Sequence, residues 1–230
     1  MRTLAIGDIH GCLRAFDALL EQIDLQSDDL VVTLGDYIDR GPDSKGVLDR
    51  LVELQSLGQL VPLLGNHDLM LLAECEDEDH FEDWLACGGQ QTLESYQVDQ
   101  DWDSFDKSFP LPHWRFLHDD CLPYYEIDEH FFVHANVYPD MALEEQPDYM
   151  LYWETLEAAK WRPHESGKVM ICGHSVQRSG RPLVLDHAIC IDTGVYGDGW
   201  LTCLDVELEV YWQANQRGET RMGNVRFRVR

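Results

Sequence analysis

Five short segments hold residue types that do metal and proton chemistry. They are "GDIHG" (7–11), "GDYIDRG" (35–41), "GNHD" (65–68), His134 after "HFFV", and Gly173-His174-Ser175 after "KVMIC". Their side chains offer carboxylate, imidazole and amide oxygen, donors that suit divalent manganese, iron or zinc. No thiolate belongs to the set, which argues against a structural zinc site. Each motif by itself is an ordinary turn. Five of them in chain order, each directly after a strand-like run, point to one metal centre.

The elements that must position these residues follow from hydropathy. Thr3–Ile6 reads as a buried strand, and Leu13, Phe16, Leu20 and Ile23 recur at helical spacing. "LVVTL" (30–34) is a second strand, and Ser44 is placed to cap a helix burying Val47, Leu48, Leu51 and Leu54. "QLVPLLG" gives a third strand. This β-α-β-α-β order predicts a parallel sheet, whose carboxyl edge is where α/β proteins bind ligands. Residues 84–120 read as short helices broken by turns. "YYEI" and "HFFVH" form a hairpin, "KVMIC" and "AICID" follow, and "WLTCL" and "LEVYW" form another hairpin. "NVRFRVR" is an edge strand or a basic tail. With no repeat and no linker, residues 1–230 are expected to be one catalytic domain.

Composition narrows the partners. There are 43 Asp+Glu against 17 Lys+Arg, a formal net charge of −26. That excess disfavours nucleic acid and anionic membranes as partners. An anionic substrate would need a local positive focus, which metal ions supply. Seven scattered cysteines, no C-x-x-C pair and no long apolar run predict a cytoplasmic protein with reduced thiols. The acidic run "ECEDEDHFED" (74–83) reads as a solvated face. His80, His113, His118, His130, His164 and His187 are assigned to surface or packing, as are all seven tryptophans. Tyr196 is placed either at the rim of the site or in packing.

"GDIHG", "GDYIDRG", "GNHD", His134 and "CGHS" together resemble the motifs of the PPP family of metallophosphatases, and most of all its bacterial and phage-type serine/threonine protein phosphatases. The resemblance runs from Thr3 to about Leu204. It implies an α/β, calcineurin-like metallophosphoesterase fold: two central mixed β-sheets packed together and flanked by helices, a four-layer α/β/β/α sandwich. It also implies two divalent ions, manganese first, with iron or zinc as alternatives. Asp8, His10 and Asp36 are then ligands of one ion. Asp36 bridges to the other, which Asn66, His134 and His174 complete. His67 takes the role of proton donor, Asp39 orients it, and Arg40 holds phosphate with Asn66. Two ions ~3.5–4 Å apart lower the pKa of a shared water and clamp phosphoryl oxygens, so hydroxide attacks phosphorus directly.

The expected activity is removal of phosphate from phosphoserine, phosphothreonine or phosphotyrosine, with a phosphoprotein or phosphopeptide as partner. The alternative is hydrolysis of diadenosine tetraphosphate, and the non-enzyme alternative is an inactive metal-binding regulatory module. Asp68 stands where eukaryotic protein phosphatases carry glutamate; bacterial relatives, including dinucleoside tetraphosphate hydrolases, often carry aspartate. Retention of Asp39 and Arg40 weighs toward the protein-phosphatase pattern. Asn136 replaces a usual glycine, a change that Asn tolerates at positive φ. An arginine common after the tryptophan of segments like "YWETLE" is missing here, where Glu154 and Thr155 follow Trp153. Arg178, four residues after His174, is the expected substitute, ahead of Arg162.

Overall fold

A computed structural model describes residues 2–74, 81–98, 104 and 108–225. Residues 75–80 of the acidic run, with Cys75 and His80, lie outside the described residues, as do Trp102 and the end of "NVRFRVR". The chain opens β1 (Thr3–Ile6), α1 (Leu13–Ile23), β2 (Leu30–Thr33), α2 (Ser44–Ser56), β3 (Leu60–Pro62) and α3 (Asn66–Glu74). Short helices α4 (Phe81–Trp84), α5 (Gln90–Tyr96) and α6 (Leu111–Arg115) follow. Strands then dominate: β4 (Tyr124–Glu126), β5 (His130–Val133), β6 (Val169–Cys172), β7 (Leu183–Leu185), β8 (Ala188–Cys190), β9 (Leu201–Asp205), β10 (Val210–Ala214) and β11 (Thr220–Asn224).

Two mixed sheets result. The first runs β11-β10-β9-β1-β2-β3, with β1, β2 and β3 parallel and β9 antiparallel to β1. The second runs β4-β5-β6-β8-β7, with β5, β6 and β8 parallel. Ala5, Val32, Leu34 and Leu204 of the first sheet meet Phe132, Ile171 and Ile189 of the second in one apolar layer. The other face of the first sheet is covered by α1 and α2 through Phe16, Leu19, Val47 and Leu51. Phe131, Val133, Met170 and Cys172 turn outward from the second sheet onto Leu143, Leu151 and Tyr152. Strands buried on both faces read as continuous apolar runs, which is why "HFFV" and "VMIC" show no alternation.

This is the expected calcineurin-like α/β sandwich, with differences of detail. The outer layer over the second sheet is one 3-10 turn (Leu143–Glu145) and one π turn (Tyr149–Trp153) rather than long helices. Strands β7 and β11 were not anticipated: "LVL" is short, and "TRMGN" is polar and exposed enough to read as loop. The N-cap of α2 is Asp43, whose carboxylate accepts from Gly46 N–H at 2.8 Å, and not Ser44. Ser44 instead turns its hydroxyl toward Thr92, 3.0 Å away. No helix among the described residues is long and apolar enough to cross a membrane. The six described cysteines are free thiols.

Candidate metal centre

Six parallel strand ends converge. Asp8 and His10 follow β1; Asp36, Asp39 and Arg40 follow β2; Asn66 and His67 open α3 just after β3. His134 follows β5, His174 follows β6, and Asp192 follows β8. Backbone contacts stitch these turns together. Asp36 O accepts from Ile9 N–H (3.0 Å) and His10 N–H (2.8 Å), and Gly173 N–H donates to His134 O (2.8 Å). Two glycines permit close approach to the carboxylates of the centre. A Cβ on Gly65 would lie 2.2 Å from Asp36 N and Oδ1, and one on Gly173 would lie 2.1 Å from Asp8 Oδ1.

The backbone is strained at the same place. His10, Asp36, Asp39, Arg40 and His174 all have φ between 46° and 69°. The left-handed region costs a non-glycine residue about 1–2 kcal/mol. Such strain persists only where surrounding contacts over-determine it, as at functional sites.

Asp68 supplies part of that determination. One carboxylate oxygen accepts from Asp36 N–H (2.8 Å) and Gly65 N–H (3.0 Å), the other from Tyr37 N–H (3.1 Å). It is fully buried, and burial together with the Asp36 charge pushes its carboxyl well above the usual range. Asp68→Ala leaves three buried donors unpaired and is expected to cost about 3 kcal/mol. For a chain of this size that lowers Tm by roughly 6–12 °C. Thermal denaturation checks this, and an unshifted Tm would remove the role.

The ligand-type atoms fall into two groups that share Asp36: His10, Asp36 and His67, and Asp36, His134 and His174. His10 Nε2 lies 3.3 Å from Asp36 Oδ2, and His134 Nε2 lies 3.6 Å from Asp36 Oδ1. Three rings donate their other nitrogen to a backbone carbonyl. His10 Nδ1 reaches Ile38 O (2.8 Å), His134 Nδ1 reaches Leu34 O (2.7 Å), and His174 Nε2 reaches Trp153 O (3.1 Å). A carbonyl only accepts, so each remaining nitrogen turns a lone pair inward. Asn66 Oδ1 sits 3.0 Å from both His134 Nε2 and His174 Nδ1. Acceptors thus face acceptors with no proton between them, an arrangement that a cation satisfies. Burial holds the rings neutral, pushing His10 down to about 3 and His174 to about 4. Burial, then Asp192 and Asp36, pushes the Asp8 carboxyl well above its ordinary value. Crowded buried carboxyls and inward lone pairs fit divalent ions of borderline hardness.

His67 differs from the other rings. Its Nδ1 pairs with Asp39 Oδ2 at 2.7 Å. Asp39 is fully buried and also accepts from Trp84 Nε1 (3.0 Å) and Thr92 Oγ1 (2.7 Å). Trp84, assigned to packing, therefore orients Asp39 as well. Arg40 donates to His10 Nε2 at 2.8 Å, and its guanidinium lies 4.6 Å from the centre of the Tyr196 ring, which meets His10 edge to face. Tyr196 is thus at the rim. Asp8 is outside both ligand groups: its carboxylate accepts from His174 N–H at 3.0–3.1 Å. Arg178 is exposed and makes no hydrogen bond to the cluster. It lines a cavity that shares Tyr196 with the centre. Asp192, buried with its carboxyl pushed up to about 6 by burial, was missed. It ends a strand like the others, and the same strand-end criterion applied to "AICID" would have found it.

A fold of two mixed sheets whose parallel strands end on Asp, Asn and His defines a metal-dependent phosphoesterase class. The chain belongs to the calcineurin-like phosphoesterase family, whose model matches residues 1–187. It is 30% identical over 178 residues to a symmetrical bis(5'-nucleosyl)-tetraphosphatase of Delftia acidovorans, covering 73% of this chain and 61% of that one. Against the protein of the same name from Nitrosomonas europaea it is 35% identical over 150 residues, 63% of this chain and 48% of that one. A solved structure provisionally named a diadenosine tetraphosphatase superposes with a TM-score of 0.65 at 20% identity, over 97% of this chain and 93% of that one, a likeness of fold. The matches span 26–61% of the length of eight curated relatives.

These relatives correct the expected affinity with serine/threonine protein phosphatases, and with it the expected phosphoprotein or phosphopeptide partner. The reason is physical. The motifs that carried the resemblance serve the phosphoryl centre, whatever the phosphate is attached to. Asp39 and Arg40, weighed toward protein substrates, contact His67, His10 and Tyr196. They carry no information about what lies beyond the phosphoryl group.

Proposed function

We propose that this chain is a metal-dependent hydrolase that cleaves dinucleoside tetraphosphates symmetrically, diadenosine tetraphosphate and water giving two molecules of ADP. The observation that carries the reading is the run of curated relatives that bear the symmetrical tetraphosphatase name. His10 and Asp36, with Asp8 as the resemblance implies, would hold one divalent ion, and Asp36, Asn66, His134 and His174 the other. Asp8 also fixes the His174 turn. Manganese suits this mixture of oxygen and imidazole donors, as do iron and zinc. Bound there, such ions supply positive charge to phosphoryl oxygens and acidify water.

The chain's own residues do the rest. Arg40 turns from His10 Nε2 to a phosphoryl oxygen, guided by the Tyr196 face, and Asn66 offers its amide to another. Cleavage breaks the central P–O–P bridge, and the bridging oxygen leaves with one nucleoside diphosphate. His67 delivers a proton there from Nε2. Asp39 at Nδ1 fixes that tautomer and stabilises the charged ring. A mere metal-binding module would need neither Asp39 nor its buried donors Trp84 and Thr92.

The purified chain, with manganese, should convert diadenosine tetraphosphate to ADP alone on ion-exchange chromatography, and a chelator should stop it. ATP plus AMP as products would overturn the symmetry. Phosphate release from a phosphoserine or phosphotyrosine peptide at equal or greater kcat/KM would overturn the substrate class.

A further inference from the structure

Two cavities of similar volume carry cations, and the pairing of those cations differs. One, about 380 Å³, lies between Tyr138, Tyr149 and Trp161 and carries Lys160 and Arg162. Both cations there are paired, Lys160 with Glu157 (2.7 Å) and Arg162 with Asp140 (2.9 Å). The other, about 370 Å³, shares Tyr196 with the centre and is lined by Arg178, Asp198, Trp200 and Arg221. Either volume is within the ~300–1,000 Å³ of small-molecule sites.

The pairing pattern across the molecule sharpens the contrast. Arg2, Lys45, Arg50, Lys160, Arg162, Lys168 and Arg217 each meet a carboxylate. Among the described residues, Arg14, Arg40, Arg115, Arg178, Arg181 and Arg221 do not, and of these Arg178 and Arg221 line the second cavity. Arg40 stacks on Tyr196, and Arg221 lies 4.0 Å from the centre of the Trp200 ring. Arg221 also donates to Gln213 Oε1 (2.7 Å) and to Gly180 O, and it feels the charge of Arg181. In a chain of net charge −26, two guanidinium groups in one cavity with no carboxylate paired to either leave a local positive site for an anion. The loop that bears Arg178 is tied down, with Gln177 N–H donating to Asp192 O (2.8 Å) and Gly180 N–H to Gln177 O (2.9 Å).

We infer that this cavity holds one nucleoside diphosphate arm of the substrate, with Arg178 on its phosphates and the Tyr196–Trp200 side beside its base. The inference rests on the dinucleotide reading above. It moves Arg178 from the reacting phosphoryl group to the phosphates beyond it. Arg178 presents unpaired donors, whereas those of Arg221 are largely engaged, so Arg178 supplies the charge-assisted contacts.

The test uses ADP as the probe, titrated calorimetrically into the whole chain with and without chelator, and steady-state kinetics on diadenosine tetraphosphate. Gly197 lines the cavity, and a Cβ there meets only Gly194 O at 3.8 Å, so Gly197→Trp starts a bulky side chain from open space at the cavity wall. Arg178→Glu and Gly197→Trp should each weaken ADP binding and raise KM by roughly tenfold to a hundredfold. Arg162→Glu, in the other cavity, should shift either by less than about twofold on the same scale. ADP binding at wild-type strength in both cavity variants would overturn the inference. So would equal losses on diadenosine tetraphosphate and on a nitrophenyl phosphate ester, which would return Arg178 to the reacting centre. A wild-type chain that binds ADP in this cavity but leaves the dinucleotide uncut would overturn the proposed function and keep the site. Cleavage with unaltered KM in both variants would do the reverse.

Discussion

Asp36→Asn is expected to lower kcat/KM on diadenosine tetraphosphate by more than about a thousandfold, because metal-ion charge is worth several kcal/mol in a phosphoryl-transfer transition state. Asp36 is the one residue common to both ligand groups. Its two oxygens divide the work: Oδ2 faces His10 Nε2 at 3.3 Å, and Oδ1 faces His134 Nε2 at 3.6 Å while accepting from His67 N–H at 2.9 Å. An asparagine amide has one oxygen and one NH2. Placing the NH2 at the Oδ1 position would set two donors against each other at the His67 amide. The NH2 therefore takes the His10 side and donates to the lone pair that an ion there would use. Metal content after dialysis should fall from two ions per chain to one at most, the survivor on the His134–His174 side. Full activity with two bound ions in Asp36→Asn would refute the assignment of this centre.

Much of this centre was legible because its residues are local in sequence. Asp8 with His10, the Asp36–Arg40 turn, and Asn66 with His67 each lie within a few residues of a strand end. Strand ends follow from β-branched and apolar runs bounded by glycine. What escaped is long-range. Trp84 and Thr92 reach Asp39 across 45 and 53 residues, from short helices whose packing no periodicity announces. Arg178, Trp200 and Arg221 come together from a loop, a turn and the edge strand β11, itself unread because "TRMGN" has no apolar face. Asp8 was read as a ligand from the resemblance, and the motif does not tell that its carboxylate also accepts from His174 N–H, a contact across 166 residues. Substrate class was misread for a related reason. The ligand motifs follow strand ends and are local in the chain, whereas the cavities are assembled from residues far apart in it.

His67→Ala tests a role on which geometry and residue type alone leave two readings. By position His67 is a ligand candidate, because its ring joins His10 and Asp36 in one group. By hydrogen bonding it is a proton donor. His10, His134 and His174 each give their second nitrogen to a neutral carbonyl, which leaves a neutral ring with an inward lone pair. His67 gives its second nitrogen to the buried Asp39 carboxylate at 2.7 Å, and no Lys or Arg is paired with that carboxylate among the described residues. With Nδ1 bound to the Asp39 carboxylate, only Nε2 remains, and it is read as the nitrogen that delivers the proton. The carboxylate is itself held by Trp84 and Thr92, so it cannot turn away. His67→Ala should therefore keep both metal ions and lose about 10²–10⁴ in kcat, the usual contribution of a general acid. Added imidazole should restore part of the rate by entering the space left beside Asp39. Loss of an ion together with activity, and no response to imidazole, would make His67 a ligand and leave the departing oxygen to be protonated from solvent.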